Sequence, residues 1–239
     1  MELNNLKELA VKTVKKAGKF LNSEKNLEKE ILSEIGRDIK LKIDQHTESL
    51  IRDELEVSGI MILGEEFGGD NIDGLMWIVD PIDGTANYFR GLDQCCISIA
   101  LMDGRDALIG VIYNFNNDEL YVAVKNHGAF LNDKKILVST ISEKNKASLT
   151  TGFPASESIK STIEFLDDLK EWKKIRMFGS AALSCAYVAS GKCDFYAEKG
   201  VYLWDFAAGI CLVKEAGGRA EYSPLGGGRY SVKFSNKLI

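Results

Sequence analysis

The segment Trp77-Ile-Val-Asp-Pro-Ile-Asp-Gly-Thr-Ala-Asn87 joins a short apolar run to two closely spaced carboxylates. The apolar run predicts a buried strand, and Pro81 is expected to end that strand because proline lacks a backbone donor. Asp80 and Asp83 are therefore expected on a turn at the strand end, where their carboxylates and the Ile82 carbonyl can converge. Such oxygens are the ligands that hard divalent cations such as Mg²⁺ prefer.

The residues after the second carboxylate favour an anion. Gly84 lets the backbone bend back, which leaves the amides of Gly84, Thr85 and Ala86 able to face a phosphate. The same letters are also good turn chemistry, because Asp caps, Pro fixes φ and Gly accepts positive φ. Taken alone, the segment leaves a phosphate-handling site and a solvated turn both open.

Two further acidic segments favour the phosphate-handling site. The apolar run 59–64 is strand-like and ends in Glu65 and Glu66. Asp205 lies in the first turn of a predicted helix over 205–216, where a lone acid is more often a helix cap than a ligand. Three acidic elements in this order indicate one site rather than three unrelated turns.

The remaining periodicity gives a mixed α and β outline. It predicts helix-favouring sequence over 2–35, a loop from Gly36 to Asp44, and helices over 44–57, 159–172, 181–190 and 205–216. Turn signals between short apolar runs predict a mainly antiparallel sheet over 60–139. A polar connector is expected at 142–146, and further strands at 147–151, 174–178 and 193–197.

Composition excludes several classes of function. A net charge of −5 without a block of Lys or Arg disfavours nucleic acid as a partner. No apolar run is long enough to span a membrane. The five cysteines lack CxxC spacing, which predicts reduced, buried thiols in a cytoplasmic protein. With His46 and His127 as the only histidines, a His-rich zinc site or a Ser-His-Asp triad is poorly supplied.

The acidic segments resemble the inositol monophosphatase family, within the superfamily that also contains fructose-1,6-bisphosphatases and nucleotide 3′-phosphatases. The segments that carry the resemblance lie in family order at 38–44, 64–66, 80–85, 175–181 and 204–218. The resemblance implies the α+β, layered αβαβα sugar-phosphatase fold, with mixed and antiparallel sheets sandwiched between helices. Two tightly packed halves are expected, with most metal ligands in 1–141, Asp205 and the substrate-side residues in 142–239, and the site at their junction.

The resemblance also implies a Mg²⁺-dependent phosphomonoesterase with two or three ions, for which Mn²⁺ can substitute. One ion is expected on Glu65, Asp80 and the carbonyl of Ile82. A second ion is expected on Asp80, Asp83 and Asp205. Two cations close together suit the attack of an activated water on a phosphate monoester, whose own charge repels hydroxide.

The predicted catalytic residues are Glu65, Thr85 and Asp44. Thr85 and Asp44 are expected to orient the attacking water, and Asp44 is a candidate ligand of a weaker third ion. Asp83, Gly84 and Thr85 are expected to bind the phosphate. For Thr85 the alternative is a helix cap, and the two roles are compatible.

Around the leaving group the resemblance places Arg176, Gly179, Ser180, Ala181, Glu198 and Lys199. Glu198 is expected to accept hydrogen bonds from sugar or cyclitol hydroxyls, although a surface acid at a strand end is the alternative. Lys199 and Arg176 are available for a second phosphate, although Arg176 could equally form a structural ion pair.

The expected partner is thus a small phosphorylated sugar or cyclitol, and a homodimer is implied. The expected substrates are inositol-1-phosphate, fructose-1,6-bisphosphate or both. The alternatives are 3′-phosphoadenosine 5′-phosphate, NADP, or a non-catalytic binding role.

Overall fold

The computed structural model describes residues 2–25, 30–35, 38–69, 74–153, 160, 163, 167 and 169–239. The helices are α1 (Leu3–Glu24), α2 (Lys42–Leu55), α3 (Thr85–Arg90), α4 (Ala181–Ala189) and α5 (Leu203–Glu215). The strands are β1 (Ile31–Ile35), β2 (Asp38–Leu41), β3 (Met61–Gly64), β4 (Leu75–Asp83), β5 (Cys96–Asp103), β6 (Asp106–Asn114), β7 (Glu119–Val124), β8 (Gly128–Leu131), β9 (Lys134–Ile136), β10 (Ser148–Thr151), β11 (Lys174–Arg176), β12 (Phe195–Tyr202), β13 (Arg219–Gly226) and β14 (Arg229–Ser235). Short 3₁₀ turns lie at Glu56–Ser58, Lys144–Lys146 and Leu169–Glu171.

The larger sheet has the strand order β3-β4-β5-β6-β7-β8-β9. From β4 to β9 all neighbours are antiparallel, which confirms the predicted meander, whereas β3 runs parallel to β4. This parallel pair matters for the site, because the carboxyl ends of β3 and β4 lie side by side.

Both faces of the larger sheet are buried, and alternate residues of β4 show why. Trp77 and Val79 belong to the core shared with α1 and α2, while Met76 and Ile78 belong to the core shared with α4 and α5. Successive side chains of a strand point to opposite faces, so a nearly continuous apolar run is what a strand between two helical layers requires.

The smaller sheet has the order β11-β10-β12-β14-β13 and packs against α4 and α5 from the other side. Its β10, β11 and β12 are parallel, and β13–β14 form an antiparallel hairpin beside β12. The layers therefore run helices, sheet, helices, sheet, which confirms the predicted α+β layered fold. Most of the helix predicted over 159–172 lies outside the described residues.

The prediction of helix over 2–35 is confirmed over Leu3–Glu24 and wrong over Ile31–Ile35. The chain instead forms β1, which pairs antiparallel with β2, and α2 then begins at Lys42 rather than at Asp44. The predicted loop at 36–44 is thus largely a strand and a helix start. The helical spacing at Leu6, Ala10 and Val14 does face the core, whereas Ile31 and Leu32 lie outside that pattern and are exposed.

The prediction that Pro81 ends its strand is also wrong, because β4 continues to Asp83. Its pairing with β5 shifts between Asp80, opposite Ser98, and Asp83, opposite Cys96, so that β4 carries one extra residue. Proline is tolerated within a sheet at such a bulge, where the ladder hydrogen bond that it cannot donate is already lost. The bulge also bends the strand where its acids lie.

All five cysteines are buried and free, as predicted. Within the part of the chain that is described, no helix is both long and apolar enough to cross a membrane.

A buried acid ties the connector between the two sheets to the smaller sheet. The Asp194 carboxylate is 4% exposed and accepts hydrogen bonds from the Ser148 amide at 2.6 Å and from the Ser139 hydroxyl. The Asn236 side chain donates to the Ser139 hydroxyl at 2.8 Å and to the Ile141 carbonyl at 2.7 Å. The connector is therefore fastened by hydrogen bonds as well as by apolar contact.

We expect Asp194→Ala to lower the free energy of unfolding by about 2–4 kcal/mol, because it removes a buried carboxylate and leaves the half-buried Ser148 amide without its acceptor. Urea titration followed by circular dichroism measures this. Asp53→Ala, which removes an exposed acid from α2, is the matched control and should change the value by less than about 0.5 kcal/mol. Equal effects of the two variants would contradict the fastening role.

Candidate active site

The end of β4 brings two buried carboxylates together with a bent backbone. Asp80 is 1% exposed and Asp83 is 7% exposed. The bulge lets one Asp80 oxygen accept from the Ile82 amide at 3.0 Å, while the Ile82 carbonyl accepts from the Thr85 hydroxyl at 2.9 Å. The predicted ligands Asp80, Ile82 and Asp83 thus share one buried turn.

Asp83 also contacts the start of α4. Its carboxylate accepts from the Ser180 hydroxyl and from the amides of Ala181 at 3.2 Å and Ala182 at 2.8 Å. The free amides and the dipole at a helix N-terminus favour a negative charge. The predicted phosphate residue Asp83 and the predicted substrate residues Ser180 and Ala181 are therefore in direct contact.

Gly84 and Thr85 connect this turn to α2. Gly84 has φ of 90°, as the turn chemistry predicted, and is the N-cap position of α3. The Thr85 hydroxyl lies 3.3 Å from one Asp44 oxygen, and the other Asp44 oxygen accepts from the Leu41 amide at 2.7 Å. Asp44 is 2% exposed, so the structure forms the predicted Thr85–Asp44 pair inside the protein.

Glu65 and Asp205 reach the site from two other elements. Glu65 directly follows β3, and its amide donates to the Val79 carbonyl at 3.3 Å, next to Asp80. Asp205 lies in the first turn of α5 and accepts from the Tyr202 amide at 2.7 Å. Both residues are partly buried.

Burial and mutual repulsion dominate the electrostatics of these acids. Burial raises the pKa of Asp80 well above its ordinary value, and Glu65, Asp83, Asp205 and Asp44 raise it further. Burial likewise raises the pKa of Asp205, with Asp83 and Glu65 adding to it. For Asp83, burial raises the pKa while the Ser180 hydroxyl and the α4 amides oppose that rise. The charged groups that act most strongly on Asp80 are all acids.

This donor set fits a hard divalent cation, because it is made of oxygens and its acids raise one another's pKa. Among the described residues, no three His, Cys, Asp or Glu side chains are grouped closely enough to hold an ion as they stand. The carboxylates of Asp44, Asp80, Asp83 and Asp205 each bond to backbone amides instead. Cations that bound here would offset the repulsion between these carboxylates.

A cavity of about 450 Å³ opens beside these acids. Its lining includes Asp83 and Asp205, and four of the predicted substrate residues: Gly179, Ser180, Ala181 and Glu198. The sequence analysis missed other lining residues, namely Asn87, Thr151, Gly152, Phe153, Met177, Phe178, Ser184 and Val201. Several of these directly follow β10 or β11, and the carboxyl ends of parallel strands are where α/β folds place ligands. A hollow of similar volume, about 460 Å³, between α1 and α2 contains none of the site acids.

Two predicted substrate residues do not line this cavity as far as the described residues show. Lys199 is exposed and neighbours Glu198 on β12, and adjacent residues of a strand point to opposite faces. Arg176 is exposed on the edge strand β11 and lies 3.4 Å from the Ser148 hydroxyl. Arg176 therefore contacts the neighbouring strand β10 through a hydroxyl rather than through the ion pair that was the alternative.

Asn87 is the most informative residue that the sequence analysis passed over. Its side-chain nitrogen donates to the carbonyls of Gln94 at 2.7 Å and Phe178 at 2.6 Å. It therefore holds the turn before α4 against α3. Its place two residues after Thr85 in the acidic segment was the available signal.

Glu198 has an unusual titration for a carboxyl group. Burial raises its pKa to about 7, the Tyr196 hydroxyl that donates to it at 2.9 Å lowers the pKa, and Asp83 raises it. Glu198 can therefore change from a donor to an acceptor of hydrogen bonds near neutral pH.

The layered α+β order, with acids gathered at the end of β4 beside a cavity, is the sugar-phosphatase fold. Within that fold class the chain belongs to the inositol monophosphatase family, whose model matches residues 2–227.

Some of the named relatives are Nus factors and others are phosphatases. The chain is 41% identical over 181 residues to Nus factor SuhB of Xylella fastidiosa, an alignment that covers 74% of this chain and 66% of the relative. It is 35% identical over 209 residues to the fructose-1,6-bisphosphatase/inositol-1-monophosphatase of Thermotoga maritima, covering 85% of this chain and 80% of the relative. Among solved structures, the extragenic suppressor protein suhB of Bartonella henselae superposes with a TM-score of 0.90 at 32% identity, covering 98% of this chain and 95% of the other.

We expect Mg²⁺ or Mn²⁺ to raise the melting temperature by about 5–10 °C when the ion is present at about 100 times its Kd. Asp80→Asn should abolish this shift. In EDTA the same variant should be at least as stable as the parent, because burial and neighbouring acids oppose ionised Asp80. Differential scanning fluorimetry measures both effects.

The control for this measurement is Asp53→Asn, an exposed change on α2 that should keep the full shift. An undiminished shift in Asp80→Asn would contradict a cation site at the end of β4.

Proposed function

We propose that this protein is a Mg²⁺-dependent phosphomonoesterase whose preferred substrate is an inositol monophosphate. The observation that carries the proposal is the buried, mutually repelling carboxylate set at the end of β4, which opens onto the cavity containing Glu198. A phosphate monoester is anionic, so it can approach this set only when bound cations neutralise the carboxylates.

The carboxylates divide between two ions in this proposal. Glu65, Asp80 and the Ile82 carbonyl would hold one ion, and Asp80, Asp83 and Asp205 would hold the other. Bound ions would supply an activated water and neutralise charge on the phosphate. Mn²⁺ can replace Mg²⁺, because both accept oxygen ligands.

Thr85 and Asp44 orient the attacking water. The Thr85 hydroxyl has one hydrogen, and both the Ile82 carbonyl and an Asp44 oxygen lie within its reach; when it donates to either of them, its oxygen lone pairs are left to accept a hydrogen from that water. One lone pair of the water is thereby directed toward the phosphorus, as in-line attack requires. Gly84 and Thr85 offer backbone amides to the phosphate at the start of α3.

Ser180, Ala181 and Glu198 receive the rest of the substrate. Glu198 accepts hydrogen bonds from ring hydroxyls, and the contacts of Asp83 fix Ser180 and Ala181 beside the phosphate. No Lys or Arg is found among the described residues that line the cavity. The described lining residues therefore offer no counter-charge to the second phosphate of fructose-1,6-bisphosphate, while Glu198 suits the ring hydroxyls of a cyclitol monophosphate.

A phosphate-release assay tests the proposal. Inositol-1-phosphate, fructose-1,6-bisphosphate, NADP and 3′-phosphoadenosine 5′-phosphate are compared with Mg²⁺, with Mn²⁺ and in EDTA. We expect the highest kcat/KM for inositol-1-phosphate, complete loss in EDTA, recovery on adding either metal, and loss in Asp80→Asn. A folded protein that releases phosphate from none of the four would contradict the proposal and favour a non-catalytic role.

A second prediction follows from the titration of Glu198. Below about pH 7 the group is protonated, and above it the carboxylate accepts hydroxyl hydrogen bonds more strongly. We expect KM for inositol-1-phosphate at saturating Mg²⁺ to fall by about 3–10-fold as the pH rises through 7, equivalent to about 1 kcal/mol of charge-assisted hydrogen bonding. Glu198→Gln should remove this dependence.

Two comparisons make the assignment specific. Tyr196→Phe removes the hydroxyl that stabilises the carboxylate, so the KM transition should move to higher pH. Glycerol 2-phosphate, which has no ring of hydroxyls, is the control substrate and should show little of the effect. An unchanged KM profile in Glu198→Gln would mean that the transition belongs to another group.

A further inference from the structure

Glu48 on α2 is a buried acid that the proposed chemistry does not use. It lies one helical turn after Asp44 and is 0% exposed. Its carboxylate accepts from the amides of Glu66 at 2.7 Å and Phe67 at 3.3 Å. Arg52, one turn further along α2, pairs with it at 2.8 Å. A buried carboxylate is retained only when it is paired and hydrogen-bonded, and Glu48 meets both conditions.

The two amides that donate to Glu48 belong to the short loop 65–68 after β3. The Gly64 amide donates to the Gly68 carbonyl at 3.1 Å, which closes the loop. Arg52 donates to the same Gly68 carbonyl at 2.5 Å and lies 3.4 Å from the Ile62 carbonyl on β3. The loop therefore wraps around a carboxylate–guanidinium pair that is fixed to α2.

The fit between this loop and Glu48 is close. A Cβ atom added to Gly64 would lie 2.1 Å from a Glu48 carboxylate oxygen, which is shorter than any real non-bonded contact of a Cβ atom. A side chain at 64 would therefore displace the Glu48 carboxylate from the amides of Glu66 and Phe67.

Glu65 stands inside the loop that Glu48 holds. Its own amide is bound to the Val79 carbonyl, and the amides of the residues before and after it are bound by Gly68 and Glu48. Two acids on one face of α2, one helical turn apart, therefore act at the site. Asp44 contacts Thr85, and Glu48 orders the loop that carries Glu65.

We propose that Glu48, together with Arg52, is a positioning residue that aims Glu65 at Asp80 and thereby sets the affinity for divalent cations. This inference rests on the proposed metal site. Groups that orient a metal ligand from behind typically change metal affinity by about 10–100-fold when they are removed. The pair itself touches neither the ion nor the substrate.

The test is direct titration of the protein with Mn²⁺ by isothermal calorimetry. Glu48→Gln keeps the size of the side chain but turns an NH₂ group toward a donor, either a loop amide or Arg52. We expect its Mn²⁺ Kd to rise at least 10-fold, while kcat at saturating metal changes by less than about 3-fold. Glu54→Gln on the same helix is the matched control, since Glu54 pairs with Lys12 and Lys16 on the surface, and it should leave the Kd unchanged.

A second variant tests the same proposal if the Glu48→Gln protein does not fold. Arg52→Lys keeps the charge beside Glu48 but cannot reach the Glu48 carboxylate and the Gly68 carbonyl with separate donors as Arg52 does. It should raise the Mn²⁺ Kd by about 3–10-fold. A Kd equal to that of the parent in the folded variants, even with reduced stability, would overturn the positioning role.

Failure of the proposed function gives a different pattern of results. If the parent protein binds Mn²⁺ but releases phosphate from no substrate, the enzymatic proposal fails while the variant titrations still decide the role of Glu48. If the parent protein itself binds no Mn²⁺, the metal site and the role of Glu48 are both overturned.

Discussion

The contact between Asp83 and the N-terminus of α4 is the interaction on which the rest of the site depends. It joins the last residue of β4, in the larger sheet, to the helix that lies between the two sheets. Because one carboxylate accepts from Ser180 and from two helix amides, the start of α4 is fixed relative to the turn that carries Asp80. The cavity walls at Ser180 and Ala181 owe their position to this bond.

The second constraint is the cost of burying several acids together. Burial and mutual repulsion raise the pKa of Asp80 and Asp205, so ionising these groups near neutral pH opposes the metal-free fold. The loss of stability develops as the pH rises from the ordinary pKa of the carboxyl group to its raised pKa in the folded protein, and it persists at higher pH. The backbone amides of Ile82 and Tyr202 donate hydrogen bonds to Asp80 and Asp205 and so offset part of this electrostatic cost. A fold that keeps such a set in place is arranged for cations rather than for maximal stability.

The architecture concentrates this chemistry at element ends. Glu65 follows β3, Asp83 ends β4, and Asp205 begins α5, where orphan helix amides are available. Between them, α2 contributes one acid to the site and a second acid to the loop behind it. Rigid elements, rather than long loops, thus set the distances between the groups, which suits the proposed ion site.

The sequence alone determined what depends on local chemistry. The apolar run 77–79, the positive φ of Gly84 and the placement of Asp205 in a first helical turn follow from neighbouring residues. Tertiary structure decided that a bulge lets β4 continue past Pro81. It also decided which side of β12 faces the cavity, and that β1 forms where a helix was predicted. Tertiary structure likewise decided the loop partners of Glu48, because these lie 18 and 19 residues away and only packing brings them together. A local pattern fixes conformation, whereas register and contact are fixed by the surfaces that the chain finally buries.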